Sequence, residues 1–249
     1  MRWLKKTVVP RLFSFNNQKS TIDNSPSLTF SPLSAIFRTM PQAASFAGVI
    51  LAAGESSRMG RDKALLPLPS NANGQAPSGD TFLSAAIKSL IPSTDFVLVV
   101  AGQNDAALAP VVYINAASMI VNPDPSRGQF SSLQVGLREV LNRGRDAAIL
   151  TLVDRPPASP ATVQKLREAF EAAPDSVWGL VPEFSGKHGH PFIAGRDLIE
   201  RFLREPVTGN ARDVEHRYQQ HIQYLGVDDA NVALNINTPD DYARLVGKS

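Results

Sequence analysis

From residue 46 onward the chain alternates apolar runs of strand length with amphipathic runs of helix length. Residues 48–52 (G-V-I-L-A), 96–101 (F-V-L-V-V-A) and 147–153 (A-A-I-L-T-L-V) are almost wholly apolar, so each reads as a strand buried on both faces. A shorter apolar stretch at 119–121 reads as a further strand. Helices are predicted over 82–90, 131–141, 160–172 and 197–203, the third with proline in its first turn, where a missing N–H costs nothing. Residues 177–182 and 191–194 flank a Gly-rich turn and suggest a hairpin. The chain closes on a strand predicted at 232–236 and a helix starting at Thr238. There Thr238 is the N-cap, Pro239 the first helical residue, and Asp240 and Asp241 sit at the positive helix end. Residues 70–80, rich in Asn, Gly, Pro and Ser, read as an exposed insertion. Buried strands separated by helices predict a mostly parallel sheet covered on both faces, hence a single three-layer α/β/α domain over 46–249.

Residues 1–45 do not share this pattern. They are rich in Ser, Asn, Thr and Pro and sustain no apolar period. They are expected to be a disordered N-terminal extension or the product of too early a start, with Met40 as the alternative start; a transit peptide is the competing reading. The segment also changes the meaning of the charge. It holds six of the 25 basic residues and one of the 23 acidic ones, leaving 19 against 22 in the body, a net charge of about −3 there. The sequence pI near 9.0 therefore belongs to the appendage, and nucleic-acid binding by the domain loses its electrostatic argument. No apolar run approaches the length of a membrane span. The absence of cysteine excludes a disulfide scaffold, a Cys-based metal site and a thiolate nucleophile, and is compatible with the cytoplasmic location expected here.

In a parallel α/β sheet, ligands bind beyond the carboxyl ends of the strands. Three polar segments fall there. Residues 54–63 (G-E-S-S-R-M-G-R-D-K) follow the first strand; small residues permit close backbone approach to a polyanion, and Arg58 and Lys63 add charge. The spacing fits neither a Walker A loop nor a dinucleotide fingerprint, and an ordinary surface loop is the competing reading. Asp154 ends the strand at 147–153 and suits one coordination position of Mg²⁺, with a turn cap as the alternative. Asn237, in N-I-N-T-P-D-D, offers a neutral oxygen to the same ion or simply forms a turn. His188 and His190 form an H-x-H without an evident third ligand, so a turn or ligand-contact role is favoured over a metal site. His216 and His221 read as surface residues, and Phe130, Phe170 and Trp178 as core.

L-A-A-G-E-S-S-R-M-G-R-D-K-A-L-L-P-L (51–68) resembles the signature loop of the MobA-like nucleotidyltransferases, which have a Rossmann-like fold. The resemblance continues in order through 124–137, L-V-D-R-P (152–156), G-H-P (189–191) and N-I-N-T-P-D-D (235–241). A-A-G in the first loop and G-x-x-S-S-L at 128–133 are similar to the cytidylyl branch, which moves CMP from CTP to the terminal phosphate of molybdopterin and releases pyrophosphate. The resemblance implies that Leu51, Ala52, Ala53, Gly54, Ser56, Ser131 and Ser132 bind nucleotide, and that Arg58 and Lys63 hold the triphosphate. It places Mg²⁺ on Asp154 and Asn237, and the acceptor near Arg155, His190 and the 189–191 segment. Arg58, Lys63 and Asp154 would carry catalysis. CTP and a phosphorylated pterin, or another small phosphorylated acceptor, are the expected partners, with molybdoenzyme maturation factors as candidates and neither nucleic acid nor membrane. Guanylyl or sugar-phosphate transfer and a non-catalytic nucleotide-binding module are the alternatives. The chain departs from the family pattern at Arg155, where relatives usually carry Met or Gln, at T-G-N-A-R (208–212) in place of G-D-x-G-A-R, and at Asn237 in place of Asp.

Overall fold

The computed structural model describes residues 44–54, 62–69 and 79–246. Residues 1–43 of the predicted extension and most of the predicted insertion at 70–80 lie outside them. In chain order the elements are β1 (Phe46–Ala52), α1 (Phe82–Leu90), β2 (Phe96–Ala101), α2 (Asp105–Ile114), β3 (Ser118–Val121), α3 (Gln129–Asn142) and β4 (Ala147–Leu152). Then follow α4 (Pro160–Glu171), β5 (Gly179–Phe184), β6 (Lys187–His188), β7 (Phe192–Gly195), α5 (Arg196–Arg204), α6 (Ala211–Arg217), β8 (Ile222–Gly226) and α7 (Pro239–Val246).

The strands form one sheet in the order β3-β2-β1-β4-β7-β5-β6, with β8 paired to β5. Pairs among β3, β2, β1 and β4 are parallel; β7 then joins β4 and β5 antiparallel, while β5 and β8 run parallel. Alternate residues of β1 feed two separate cores. Phe46, Ile50 and Ala52 pack with α1, α2 and α4 through Leu83, Ile87, Leu108 and Val163. Ala47, Val49 and Leu51 pack with α3 and α5 through Leu133, Leu137, Leu198 and Phe202. This two-sided burial is the expected three-layer α/β/α arrangement. On α3, Gly136 lets the helix lie close to the sheet, since a Cβ there would fall 2.9 Å from side-chain methyls of Val49 and Val100.

Most predicted elements form within a residue or two of their expected limits. The hairpin gains the short strand β6 inside its turn. The strand expected at 232–236 does not form. Asp229 caps a 3₁₀ turn over Ala230–Ala233 and accepts from Ser159 N and Thr162 Oγ1 at the start of α4, so this backbone is spent on the turn rather than on a ladder. Val232 and Ile236 are buried nonetheless, which accounts for the apolar pattern. The last strand is instead β8, whose Ile222 packs into one core and Leu225 against the other, with Tyr224 exposed.

Candidate functional site

The carboxyl ends of β3, β2, β1 and β4 lie on one edge of the sheet, as their parallel pairing requires. Two cavities open along that edge, of about 540 and 600 Å³. Leu51, Gly128, Gln129 and Leu152 line both, so the cavities share a wall built from the first turn of α3 and the ends of β1 and β4.

The smaller cavity gathers Ala53 and Gly54 after β1, Lys63, Ser132 and Asp154. Lys63 opens a 3₁₀ turn, Lys63–Leu65, whose N-cap Asp62 accepts from Ala64 N at 3.0 Å. The other oxygen of Asp62 accepts from Asn104 Nδ2 at 2.6 Å. The same amide nitrogen donates to Ala52 O, while Asn104 Oδ1 accepts from Gly102 N. One asparagine thus fastens the end of β1, the end of β2 and the turn that carries Lys63. Asn122, at the end of β3, plays a similar part, since its Nδ2 donates to the hydroxyls of both Ser131 and Ser132 at 2.9 Å. Neither asparagine stands out in the sequence. Their one signal is position, as polar residues just beyond a buried strand on the ligand-facing edge.

Asp154 follows β4. Its backbone carbonyl accepts from Ile236 N at 3.0 Å, and its side-chain Oδ1 is buried with no hydrogen-bond partner among the described residues. A buried carboxylate oxygen left open at a cavity wall fits a hard cation that takes its remaining ligands from water and phosphate. Among the described residues no cluster of three or more His, Asp or Glu could hold a metal, so any cation here would depend on oxygens from a bound nucleotide.

The larger cavity is walled by Arg127, Arg155, Arg212, His188, His190 and Glu215 around an apolar floor that includes Phe192 and Phe202. Arg155 is half-buried with Nε unpartnered among the described residues; burial lowers its pKa and the charge of Asp154 opposes this. His190 is fixed through its backbone N to Val232 O at 2.9 Å and lies with Nδ1 3.2 Å from Leu150 O. Desolvation, reinforced by the charge of Arg155 and opposed by the Leu150 contact, brings its pKa down to about 4, so the ring is neutral near pH 7. In that state Nδ1–H donates to Leu150 O and Nε2 is left as an acceptor. Gly189 is required here for close approach: a Cβ would sit 1.8 Å from Val232 O.

The structure therefore brings Leu51, Ala53, Gly54, Lys63, Ser132 and Asp154 together, with Arg155 and His190 next door. Ala52 is not part of the cavity wall; its side chain is in the core and its carbonyl serves Asn104. Ser131 is likewise turned away, donating to Gly128 O at 2.7 Å and anchoring the first turn of α3. Asn237 is exposed and outside the cavity wall, although its neighbour Ile236 holds the Asp154 backbone. Ser56 and Arg58 lie outside the described residues. His188 stacks on Tyr224 with ring centroids 4.0 Å apart and pairs with Glu183, and His221 stacks on Trp178, so these imidazoles have structural partners. Thr238 caps α7 as expected, accepting from Asp241 N, while Asp241 accepts from the backbone of Asn237 and Thr238.

Residues 48–222 match the model of the MobA-like NTP transferase domain. The chain is 31% identical over 209 residues to a probable molybdenum cofactor guanylyltransferase of Rhodopirellula baltica, covering 81% of this chain and 93% of that one. It is 25% identical over 196 residues to the molybdenum cofactor cytidylyltransferase of Escherichia coli K12, covering 78% and 92%. Among solved structures, Rv0371c of Mycobacterium tuberculosis H37Rv superposes with a TM-score of 0.68 at 28% identity, over 83% of this chain and 99% of that one.

Proposed function

Because the chain belongs to the MobA-like NTP transferase family, we propose that it transfers CMP from CTP to the terminal phosphate of molybdopterin and releases pyrophosphate. The observation that carries the reading is the unpartnered buried oxygen of Asp154, in one cavity wall with Lys63 and Gly54 and beside a second cavity rich in arginine. The smaller cavity takes the nucleotide and the larger one the acceptor, and the two meet at the junction of Asp154 and Arg155. A-A-G at 52–54 and S-S-L at 131–133 favour cytidylyl over guanylyl transfer. Guanylyl transfer is the second reading, supported by the name of the Rhodopirellula relative.

Transfer to a phosphate needs neither a protein nucleophile nor a strong base, since the acceptor oxygen is already ionised. It needs in-line placement and neutralisation of charge on the α-phosphate and the departing pyrophosphate. Backbone N–H groups around Gly54, together with Lys63 and Arg58, hold the triphosphate. Arg155 receives the acceptor phosphate, and the neutral His190 borders it. The Asp154 carboxylate would hold Mg²⁺, with the exposed Asn237 amide oxygen as the second protein ligand once it turns inward, and the bound ion would supply further charge neutralisation on phosphate oxygens. The residues up to 45 are proposed to lie outside the catalytic domain, and the domain to work in the cytoplasm; among the described residues no helix is long and apolar enough to cross a membrane.

The test is pyrophosphate release with Mg²⁺, comparing CTP with GTP, with and without molybdenum-loaded molybdopterin. Release that requires both CTP and the pterin is expected. Release with GTP in its place moves the chain to the guanylyl reading, and tight nucleotide binding without release removes the transfer reaction.

A further inference from the structure

Glu215 stands apart from the other charged groups of the larger cavity. It projects from α6 into a wall otherwise populated by arginines and aromatic rings, and its carboxylate has neither a hydrogen bond nor an ion pair among the described residues. Burial raises its pKa, and Arg212, three residues earlier, offsets this only in part. Glu215 is half-buried, and its carboxylate offers the cavity two acceptor oxygens that a ligand can engage in place of water. A cation is a poor candidate, because Arg127, Arg155 and Arg212 already line the same space. What remains is a neutral donor edge. Phe192 and Phe202, packed edge to face, give the cavity apolar aromatic surface for a planar ring, and the two carboxylate oxygens suit two adjacent N–H groups on it.

We propose that Glu215 reads the ring of the acceptor, its two carboxylate oxygens accepting from the adjacent ring N–H and amino groups of a 2-amino-4-oxo-pyrimidine edge, as a pterin presents. This rests on the assignment of the larger cavity to the acceptor. Arg155 meets the phosphate and Glu215 the ring, so one cavity selects both the charge and the heterocycle of its ligand. Glu215 is then a specificity residue, and no part of the group transfer passes through it.

The test uses the full chain with CTP and Mg²⁺ present, titrated by fluorescence with 6-carboxypterin and with 6-carboxylumazine. The second probe replaces the amino donor by a carbonyl oxygen, which would face the carboxylate acceptor to acceptor. The wild-type protein is expected to prefer the pterin at least ~10-fold, the scale of one charge-assisted hydrogen bond. Glu215→Gln presents a donor beside an acceptor, so the preference falls to parity or inverts, while CTP affinity, measured alongside, stays within about twofold and reports an intact fold. Glu215→Asp, which keeps the charge and shortens the reach, is expected to retain the preference at reduced affinity. A wild-type protein indifferent to the two probes, or a Glu215→Gln variant that keeps the full preference, overturns the proposal. Preference for the pterin without CTP-dependent pyrophosphate release upholds Glu215 and removes the transfer reading. Release whose acceptor KM is unmoved by Glu215→Gln does the reverse.

Discussion

The smaller cavity is assembled from the ends of β1 and β4 and the first turn of α3, whereas its neighbour takes its polar wall from Arg155, the 188–190 segment and α6. The first is held by main-chain geometry: four parallel strands end together, and Asn104 and Asn122 tie those ends to the turns and helix that follow. The second is held by side chains from elements with little regular structure, a seven-residue helix and a two-residue strand among them. The contrast indicates where variation is tolerated. Changes in the arginine-lined wall alter what is bound, while changes at the strand ends alter whether the site exists. Of the three departures from the pattern that the resemblance sets, Arg155 and the 208–212 segment lie at the larger cavity, and Asn237 lines neither cavity.

The comparison breaks most visibly at the charges. Lys63→Ala and Asp154→Ala are each expected to lower turnover by at least ~100-fold, the scale of losing one preorganised charge partner, in a pyrophosphate-release assay at saturating substrates. Near-normal rates in either variant would remove the smaller cavity from the chemistry. Next in size is Gly189→Ala, because the clash is with a backbone carbonyl that cannot rotate aside. A loss of roughly 2–3 kcal/mol in urea unfolding is expected, larger than for Gly136→Ala, whose clash is with side-chain methyls that can yield. Equal losses would show the two regions to be alike in rigidity.

Asn104→Ala releases Asp62 and Ala52 together, and is expected to weaken CTP binding by about tenfold while leaving acceptor affinity within threefold. Calorimetry with each ligand separates those effects, and a matched loss for both would make Asn104 a general stability residue. The smallest effect concerns pH. His190 has its folded-state pKa lowered from 6.5 to about 4, so the native state resists a proton that the unfolded chain accepts. The sign follows: stability is fully present above pH 6.5 and declines as pH falls toward 4. His190→Asn is expected to remove a slope of at most about 1.4 kcal/mol per pH unit, the limit for one proton. Denaturant midpoints of wild type and variant across this window decide it, and parallel curves would mean that the imidazole titrates normally.

The parallel side of the sheet is legible in the sequence, and the other side less so. Strands β1, β2 and β4 are buried on both faces, so their sequences are nearly continuous apolar runs that need no partner to be recognised. In β8, I-Q-Y-L-G is apolar at only three of five positions and exposes Tyr224, and the better apolar run at 232–236 points to a strand although Val232 and Ile236 are buried around a turn instead of a ladder. Helix α2 carries Pro110 inside it, and α6 has one buried residue, Val214, so neither shows a helical apolar stripe. The site follows the same rule. Lys63 and Asp154 can be picked out because they flank strands in the polar segments at the ligand-facing edge. Asn104, Asn122 and Glu215 act through neighbours that are distant in sequence or through a cavity wall, and a single polar residue carries no mark of either.

One consequence lies in the partition between the cavities. The first turn of α3 forms that wall, and no side chain caps it among the described residues, so its backbone N–H groups keep their partial positive charge for whatever lies on either side. In the proposed reaction the α-phosphate of the nucleotide exchanges its bond to pyrophosphate for a bond to the acceptor phosphate beside this partition. Its negative charge then remains within the same field throughout, and the partition stabilises reactants and products to a similar degree. Such an element leaves the balance between them untilted and lowers the barrier only by as much as it favours the transition state over both, which leaves the direction of net flux to the removal of pyrophosphate and to the fate of the nucleotide-bearing product.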